Sequence, residues 1–160
     1  MAATGTGYGL IQAGINLGAL FDSLGSGATA ESPAVTFPFA TNATASTPFW
    51  GDLTLAFAST AMGAGTPNIQ GVWIVSDDGT NYELWGVSNS QLFPYNTPYF
   101  FQVNVLPTVA YTLIRAPAIQ IPPVLSTGTA NPKLVLFNNL GVALPATVTA
   151  TLYPFGGSIG

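Results

Sequence analysis

From about residue 33 onward, hydrophobic and polar residues alternate along the chain with a period of two. In WGDLTLAFAS, residues 50–59, the side chains of Leu53, Leu55 and Phe57 fall on one side of an extended backbone and the residues between them fall on the other. The same alternation runs through YFFQVNVL and TVTATLY. Each of these segments is predicted to be a half-buried β-strand.

Shorter apolar runs predict further strands, and Pro/Gly-rich turns such as AGTPN and STGTANP separate them. The chain has 13 prolines and 18 glycines, and no convincing helix is predicted after residue 30. About nine short strands joined in this way predict an all-β protein, an antiparallel β-sandwich of jelly-roll-like or Ig-like type, of which we favour the jelly roll. The further predicted strands are 35–39, 71–76, 82–86, 111–115, 118–121 and 133–138.

The N-terminal region has a different pattern, with apolar residues at loosely helical spacing. Five glycines between positions 5 and 18 argue against a stable isolated helix. We therefore expect residues 1–32 to be an extended or partly helical arm that becomes ordered against a neighbouring subunit, and residues 33–160 to be the β-sandwich domain. A partly disordered tail and a membrane-inserting peptide are the alternative interpretations. The predicted interface residues of the arm are Leu10, Ile11, Ile15, Leu17, Leu20 and Phe21.

Charged residues make up only 5% of the chain, compared with roughly 25% in ordinary soluble domains. With two basic residues there is no positive patch to bind phosphates, which argues against nucleic acid as a partner. Gly, Pro, Asn and Thr interrupt every apolar run before it reaches about 20 residues, so no membrane span is predicted. Neutral and apolar residues must therefore form most of the surface, which indicates a homo-oligomer or, alternatively, a monomer coated with Thr and Asn.

The sequence offers little for catalysis, since it contains no histidine and no cysteine. This excludes Ser-His and Cys-His nucleophiles and histidine or thiolate metal centres. The most charged segment is Asp77-Asp78-Gly79, followed by Glu83, and it has the composition of a hairpin turn. Calcium binding by these oxygens is the alternative. We expect no catalytic residues, no metal site and no cofactor.

Aromatic residues could instead form a ligand-binding surface. Tyr95, in the loop sequence FPYNTP, and Trp85 are the candidates for stacking against a ligand. The alternative is that the aromatic residues belong to the core or to a subunit interface. Arg115 is expected to pair with one of the few acidic residues, and Lys133 to lie at a solvated loop edge.

Three segments, GVWIVSDDGTNYE, APAIQIPPVL and KLVLFNNLGVALPATVTATLYPF, together resemble small structural proteins of tailed-bacteriophage virions. In those proteins a strand–DGTNY–strand hairpin precedes a late strand pair with the pattern L-x-N-x-x-G-x-A-L-P, and the resemblance covers roughly residues 50–155. It implies a non-enzymatic β-sandwich protein of the virion that decorates the head or forms an accessory tail, collar or fibre part. Of these roles we expect a capsid decoration subunit, assembled in the host cytoplasm, with the major capsid or tail and fibre subunits as partners. The alternative is a receptor- or carbohydrate-binding module of a fibre.

Overall fold

The computed structural model describes residues 8–10, 14–19, 21–35, 50–76, 80–82, 87–88, 91–92, 99–122 and 131–157. These ranges contain β-strands, turns and loops. No helix that could span a membrane occurs in them.

The strands of the described ranges form two large antiparallel sheets and one small hairpin, which confirms the prediction of an antiparallel all-β protein. In chain order they are β1 (Tyr8–Leu10), β2 (Ile15–Asn16), β3 (Thr29–Glu31), β4 (Trp50–Ala61), β5 (Asn68–Ile74), β6 (Val87–Ser88), β7 (Gln91–Leu92), β8 (Phe100–Asn104), β9 (Ala110–Gln120), β10 (Lys133–Asn139) and β11 (Val148–Gly157).

The first large sheet, sheet A, has the strand order β1/β2, β11, β4, β9. Strands β1 and β2 pair with successive stretches of the same edge of β11, with Leu10 opposite Phe155 and Ile15 opposite Leu152, so sheet A is four strands wide. Pro154, which has no N–H to donate, falls between these two stretches of pairing. The second sheet, sheet B, has the order β3, β10, β5, β8. The β6–β7 hairpin interrupts the connection from β5 to β8.

The two sheets share one hydrophobic core. The alternation that predicted β4 places Leu53, Leu55 and Phe57 on its buried face, as expected. From sheet B, Trp73 and Leu136 are buried in the same cluster. Because successive strand residues point to opposite faces, alternate side chains of β4 and of β10 contribute to this core.

The N-terminal segment belongs to the same core and to both sheets. Leu17 and Phe21 are buried in the cluster, and the Leu17 N–H donates to the Ala150 carbonyl oxygen at 2.9 Å. This differs from the expectation that residues 1–32 form an arm, separate from the 33–160 domain, whose apolar residues bind a neighbouring subunit. The physical reason is that the segment supplies edge strands to sheets A and B, and the apolar side chains between these strands fill the space between the sheets.

Asn138 ties the N-terminal segment to the loop that joins β10 to β11. It is fully buried, and its Nδ2 donates to the carbonyl oxygens of Leu24 at 2.7 Å and Val142 at 2.9 Å. Its Oδ1 accepts the Leu140 N–H at 2.9 Å. All the polar atoms of this buried amide therefore have partners, as a low-dielectric interior requires.

A close backbone approach fixes the same loop against the end of β4. Gly141 has φ +74°, and a Cβ atom added there would lie 2.9 Å from the Cα of Gly63. The Gly63 N–H donates to the Leu140 carbonyl oxygen at 2.8 Å. The NNLGVALP sequence therefore forms a structural loop, in which the glycine is needed for both its conformation and its lack of a side chain.

Candidate binding surface

The outer faces of the two sheets differ in how they are covered. On sheet B, the outward side chains of Val72, Ile74, Val135 and Phe137 are buried, and Tyr82 packs against them. Strand β7 of the small hairpin contacts β5. Sheet B therefore has a hydrophobic cluster on each face, and its outer one is already occupied by the chain's own residues.

On the outer face of sheet A, several of the described side chains are exposed to solvent. The register places Tyr153 opposite Asp52 and Arg115 opposite Thr54, all on the face that points away from the core. Trp50 lies two residues before Asp52 on the same face and is 39% exposed, while Tyr153 is 37% exposed. Two aromatic side chains thus lie beside a carboxylate and a guanidinium. We call Trp50, Asp52, Arg115 and Tyr153 the outer-face cluster.

A β-bulge sets the position of the charged pair. Gly51 lies opposite Ile119 and Leu53 opposite Ala116, so Asp52 alone faces the two residues between, Pro117 and Ala118. Ala118 has φ +51°, a left-handed conformation that is costly for a residue with a Cβ atom. Asp52 Oδ1 stabilises it by accepting the Ala118 N–H at 2.8 Å.

The other carboxylate oxygen of Asp52 forms a salt bridge with Arg115, which confirms the prediction that this arginine pairs with an acid. The Asp52 side chain is 18% exposed and that of Arg115 is 60% exposed. Partial burial alone would raise the pKa of Asp52, but hydrogen bonds from Arg115 and Ala118, together with the arginine charge, lower that pKa below its ordinary value. Asp52 is therefore an ionised structural clamp.

An open depression continues the outer face of sheet A away from the cluster. Its volume is about 480 Å³, and its lining is apolar and hydroxyl-bearing. The lining contains no titratable group, so it can contact a ligand or a protein surface but cannot transfer a proton. The residues that line it are Ala56, Phe57, Ala58, Pro145, Ala146, Thr147 and Thr149.

A second exposed apolar feature lies at the turn between β8 and β9. Leu106 is 64% exposed and Val109 is 42% exposed. The turn is held in place because the Leu106 N–H donates to the Tyr111 hydroxyl at 3.0 Å, and the Met62 N–H donates to the Val109 carbonyl oxygen at 3.0 Å. We call Leu106 and Val109 the turn tip. It offers a pre-organised apolar contact at one end of the molecule.

The acidic residues that the structure describes have structural partners. Asp22 Oδ1 accepts the Val148 N–H at 2.6 Å, Glu31 pairs with Lys133 at 3.5 Å, and Asp52 holds the bulge. In the described part of the chain, no group of three or more carboxylates could hold a metal ion. These contacts leave no pair of carboxylates facing each other across a cleft among the described residues.

The predicted site residues are only partly brought together. Of the arm residues, Leu17 and Phe21 are in the core, Ile15 is half-buried beside it, and Leu10 lies in β1. The other predicted residues lie outside the described ranges: Ile11, Leu20, Trp85, Tyr95 and the Asp77–Gly79 turn with Glu83.

Lys133 is not a simple solvated residue. Besides its pairing with Glu31, its Nζ lies 4.3 Å from the centre of the Tyr82 ring, a cation–π contact. The Tyr82 hydroxyl donates to the Asn131 carbonyl oxygen at 2.9 Å, so this aromatic residue closes the outer cluster of sheet B.

Sequence reasoning missed Tyr153 and did not single out Trp50 as a surface residue. The alternation of apolar and polar residues in β4 and β11 could have placed both aromatic residues on the outer face. Trp50 is in phase with Asp52, and Tyr153 is in phase with Thr149 and Thr151, which are outward residues of their strands. An aromatic residue in the outward phase of an otherwise polar strand face is the pattern that could have identified them.

Comparison of the chain with protein-family models, with curated proteins and with solved structures found no match.

Proposed function

We propose that the chain is a non-enzymatic structural protein of a virion, a capsid decoration subunit with a jelly-roll fold. The observation that carries this proposal is the strand order. Sheet A runs β1/β2, β11, β4, β9 and sheet B runs β3, β10, β5, β8, so successive strands alternate between the two sheets from β2 to β5 and again from β8 to β11, in the manner of two interlocked Greek keys. This order supports a jelly roll, an architecture that occurs in capsid and lectin domains.

The chemistry of the described residues supports a structural rather than a catalytic role. The chain has no histidine or cysteine, and each of the described acidic residues, Asp22, Glu31 and Asp52, is paired with a backbone N–H or a basic side chain. Fold analogy alone would not separate a capsid subunit from a jelly-roll enzyme. The sequence contains no cysteine to act as a nucleophile and no histidine to act as a base, and this favours the structural role over the enzyme.

A decoration subunit acts by adding buried area at the joints between shell subunits. The turn tip provides apolar area for such a contact. Each contact can be modest, because binding to adjacent shell subunits at once multiplies the effective affinity. The described residues of the N-terminal segment contribute by completing both sheets.

The experiment that tests this proposal is a density-gradient purification of particles from cells that carry the gene, with an antibody against the purified protein. The protein should sediment with intact particles at a fixed ratio to the major capsid protein, and gold-labelled antibody should mark the particle surface. If the protein stays entirely in the soluble fractions while particles form, the proposed function is wrong.

A further inference from the structure

We propose that the outer-face cluster of sheet A is a binding site for a neutral glycan. In this site a sugar ring stacks on Trp50 and Tyr153, and its hydroxyl groups bond to Asp52 and Arg115. This inference does not depend on the virion role, since it rests on the side chains of one sheet face.

The aromatic residues are placed for stacking. Trp50 lies opposite Phe155, and Tyr153 lies opposite Asp52, so Trp50 and Tyr153 are diagonal neighbours on adjacent strands. The N-terminal segment fixes the Tyr153 ring, because a Cβ atom added to Gly14 would lie only 2.7 Å from the ring atom Cε1. A ring already held in place loses little conformational freedom when a ligand stacks on it.

The charged pair provides the hydrogen-bonding half of the site. Asp52 and Arg115 form a salt bridge, and the 60% exposure of the arginine side chain leaves guanidinium N–H groups facing solvent. A guanidinium carries five N–H donors, and each carboxylate oxygen can accept more than one hydrogen bond. Neighbouring hydroxyl groups of a sugar can therefore accept from Arg115 and donate to Asp52 at the same time.

Charge selects a neutral ligand. The cluster is balanced, with one positive and one negative group, and the whole chain has a formal net charge of −4. An anionic ligand would meet the Asp52 carboxylate beside the arginine, and a cationic one would meet the guanidinium. A polyhydroxyl ligand needs both a donor and an acceptor together with an apolar ring face, and the cluster supplies all three.

The shape of the face fits an extended chain of sugars. Thr54 and Thr151 lie between the cluster and the open depression, on the same outer face. From Trp50 to Ala56 the strand extends roughly 20 Å, at about 3.4 Å per residue. This length and the threonine hydroxyls along it favour an oligosaccharide over a single sugar.

Affinity electrophoresis of the intact protein tests the site. The gels would contain dextran, mannan, galactan, hydroxyethyl cellulose or, as an acidic comparison, polygalacturonate. We expect at least one neutral polysaccharide to retard the protein, and Trp50→Ala and Tyr153→Ala to reduce the affinity at least tenfold. The control variant is Leu106→Ala, which changes an exposed apolar residue of the turn tip and should bind like the wild type. Melting temperatures show whether each variant is folded.

Several results would overturn the proposal. These are no retardation by any neutral polysaccharide, retardation by polygalacturonate alone, or equal retardation of wild type and both aromatic variants. Light scattering measures the oligomeric state and so tests whether a second copy of the chain occupies this face. If the wild type is an oligomer that Trp50→Ala converts to a monomer, the face is a subunit interface. The gels contain no virus particles, so a negative result in them concerns only the glycan site. The proposed virion function is tested separately by the density-gradient experiment.

Discussion

The side-chain nitrogen of Asn138 donates to the carbonyl oxygen of Leu24 at 2.7 Å, which joins residues that are 114 positions apart in the sequence. Replacing Asn138 by Ala would leave this carbonyl and that of Val142 without their donor in a buried region. We expect Asn138→Ala to lower the free energy of unfolding by about 2–4 kcal/mol, since each buried group left unsatisfied costs about 1–3 kcal/mol. Urea denaturation followed by circular dichroism measures it.

Asn139 is the matched control, because it carries the same amide but is exposed at the end of β10. Asn139→Ala should change the free energy of unfolding by no more than about 0.5 kcal/mol. Equal effects of the two substitutions would contradict the role given to Asn138.

The N-terminal segment gives a second prediction. Leu17 is 1% exposed and Leu106 is 64% exposed, so the same change from leucine to alanine can be compared at a buried and at an exposed position. Leu17→Ala should cost about 2–5 kcal/mol, whereas Leu106→Ala should be nearly neutral. Thermal melts of both variants decide this.

Deletion of residues 1–32 should have a larger effect, because it removes β1, β2 and β3 together with core residues such as Phe21. We expect the truncated chain to lose cooperative unfolding. A truncated protein that melts cooperatively near the wild-type temperature would show that residues 33–160 fold independently, as the sequence first suggested.

The contrast between β4 and the first three strands shows what the sequence could reveal. Leu53, Leu55 and Phe57 alternate within one long segment, so their burial follows from local periodicity. Strands β1, β2 and β3 have two or three residues each, and their pairing partners are more than 100 positions away. Backbone hydrogen bonds to distant strands stabilise such short pieces, and these bonds leave no periodic pattern in the side chains.

The bulge shows a similar limit. The sequence indicated two strands, 111–115 and 118–121, because Pro117 interrupts the run. The structure has the single strand β9, since Pro117 lies on an edge strand, where a missing N–H is tolerated, and Asp52 binds the Ala118 N–H at the bulge, which has one extra residue. Arg115 is one of only two basic residues, so its pairing with an acid could be predicted from the sequence. Its pairing with Asp52 in particular depends on the register between β4 and β9.

The Asp52 clamp should be sensitive to pH. Its pKa is lower in the folded protein than its ordinary value of about 3.9, so its contribution is fully present above that pH and is lost as the pH falls through the folded value. Asp52→Asn should be less stable than the wild type by about 1 kcal/mol at pH 7, because Arg115 is largely solvated. At about pH 2 the difference should shrink. Urea unfolding at both pH values measures it.

Glu31→Gln is the control for this experiment. Glu31 pairs with Lys133 at 3.5 Å and its side chain is 47% exposed, so its loss should change stability little at either pH. A constant deficit of Asp52→Asn across the pH range would mean that its carboxylate charge contributes nothing to the fold.

Salt should have little effect on any association of this protein. With eight charged residues, its contacts with neighbours have few ion pairs to screen. Raising sodium chloride to about 1 M, where the Debye length is about 3 Å, should therefore release little protein from particles or oligomers. Sedimentation at low and high salt tests this, and steep release would point instead to a decisive ionic contact, such as one made by Arg115.

The central claim, that the chain decorates a capsid, is tested most directly by a difference map between particles with and without its gene. Cryo-electron microscopy of both would be carried out under the same conditions. We expect DNA-filled heads to form in both cases, and we expect the map of wild-type particles to have extra surface density, into which sheets A and B fit. Identical maps of the two heads would contradict it.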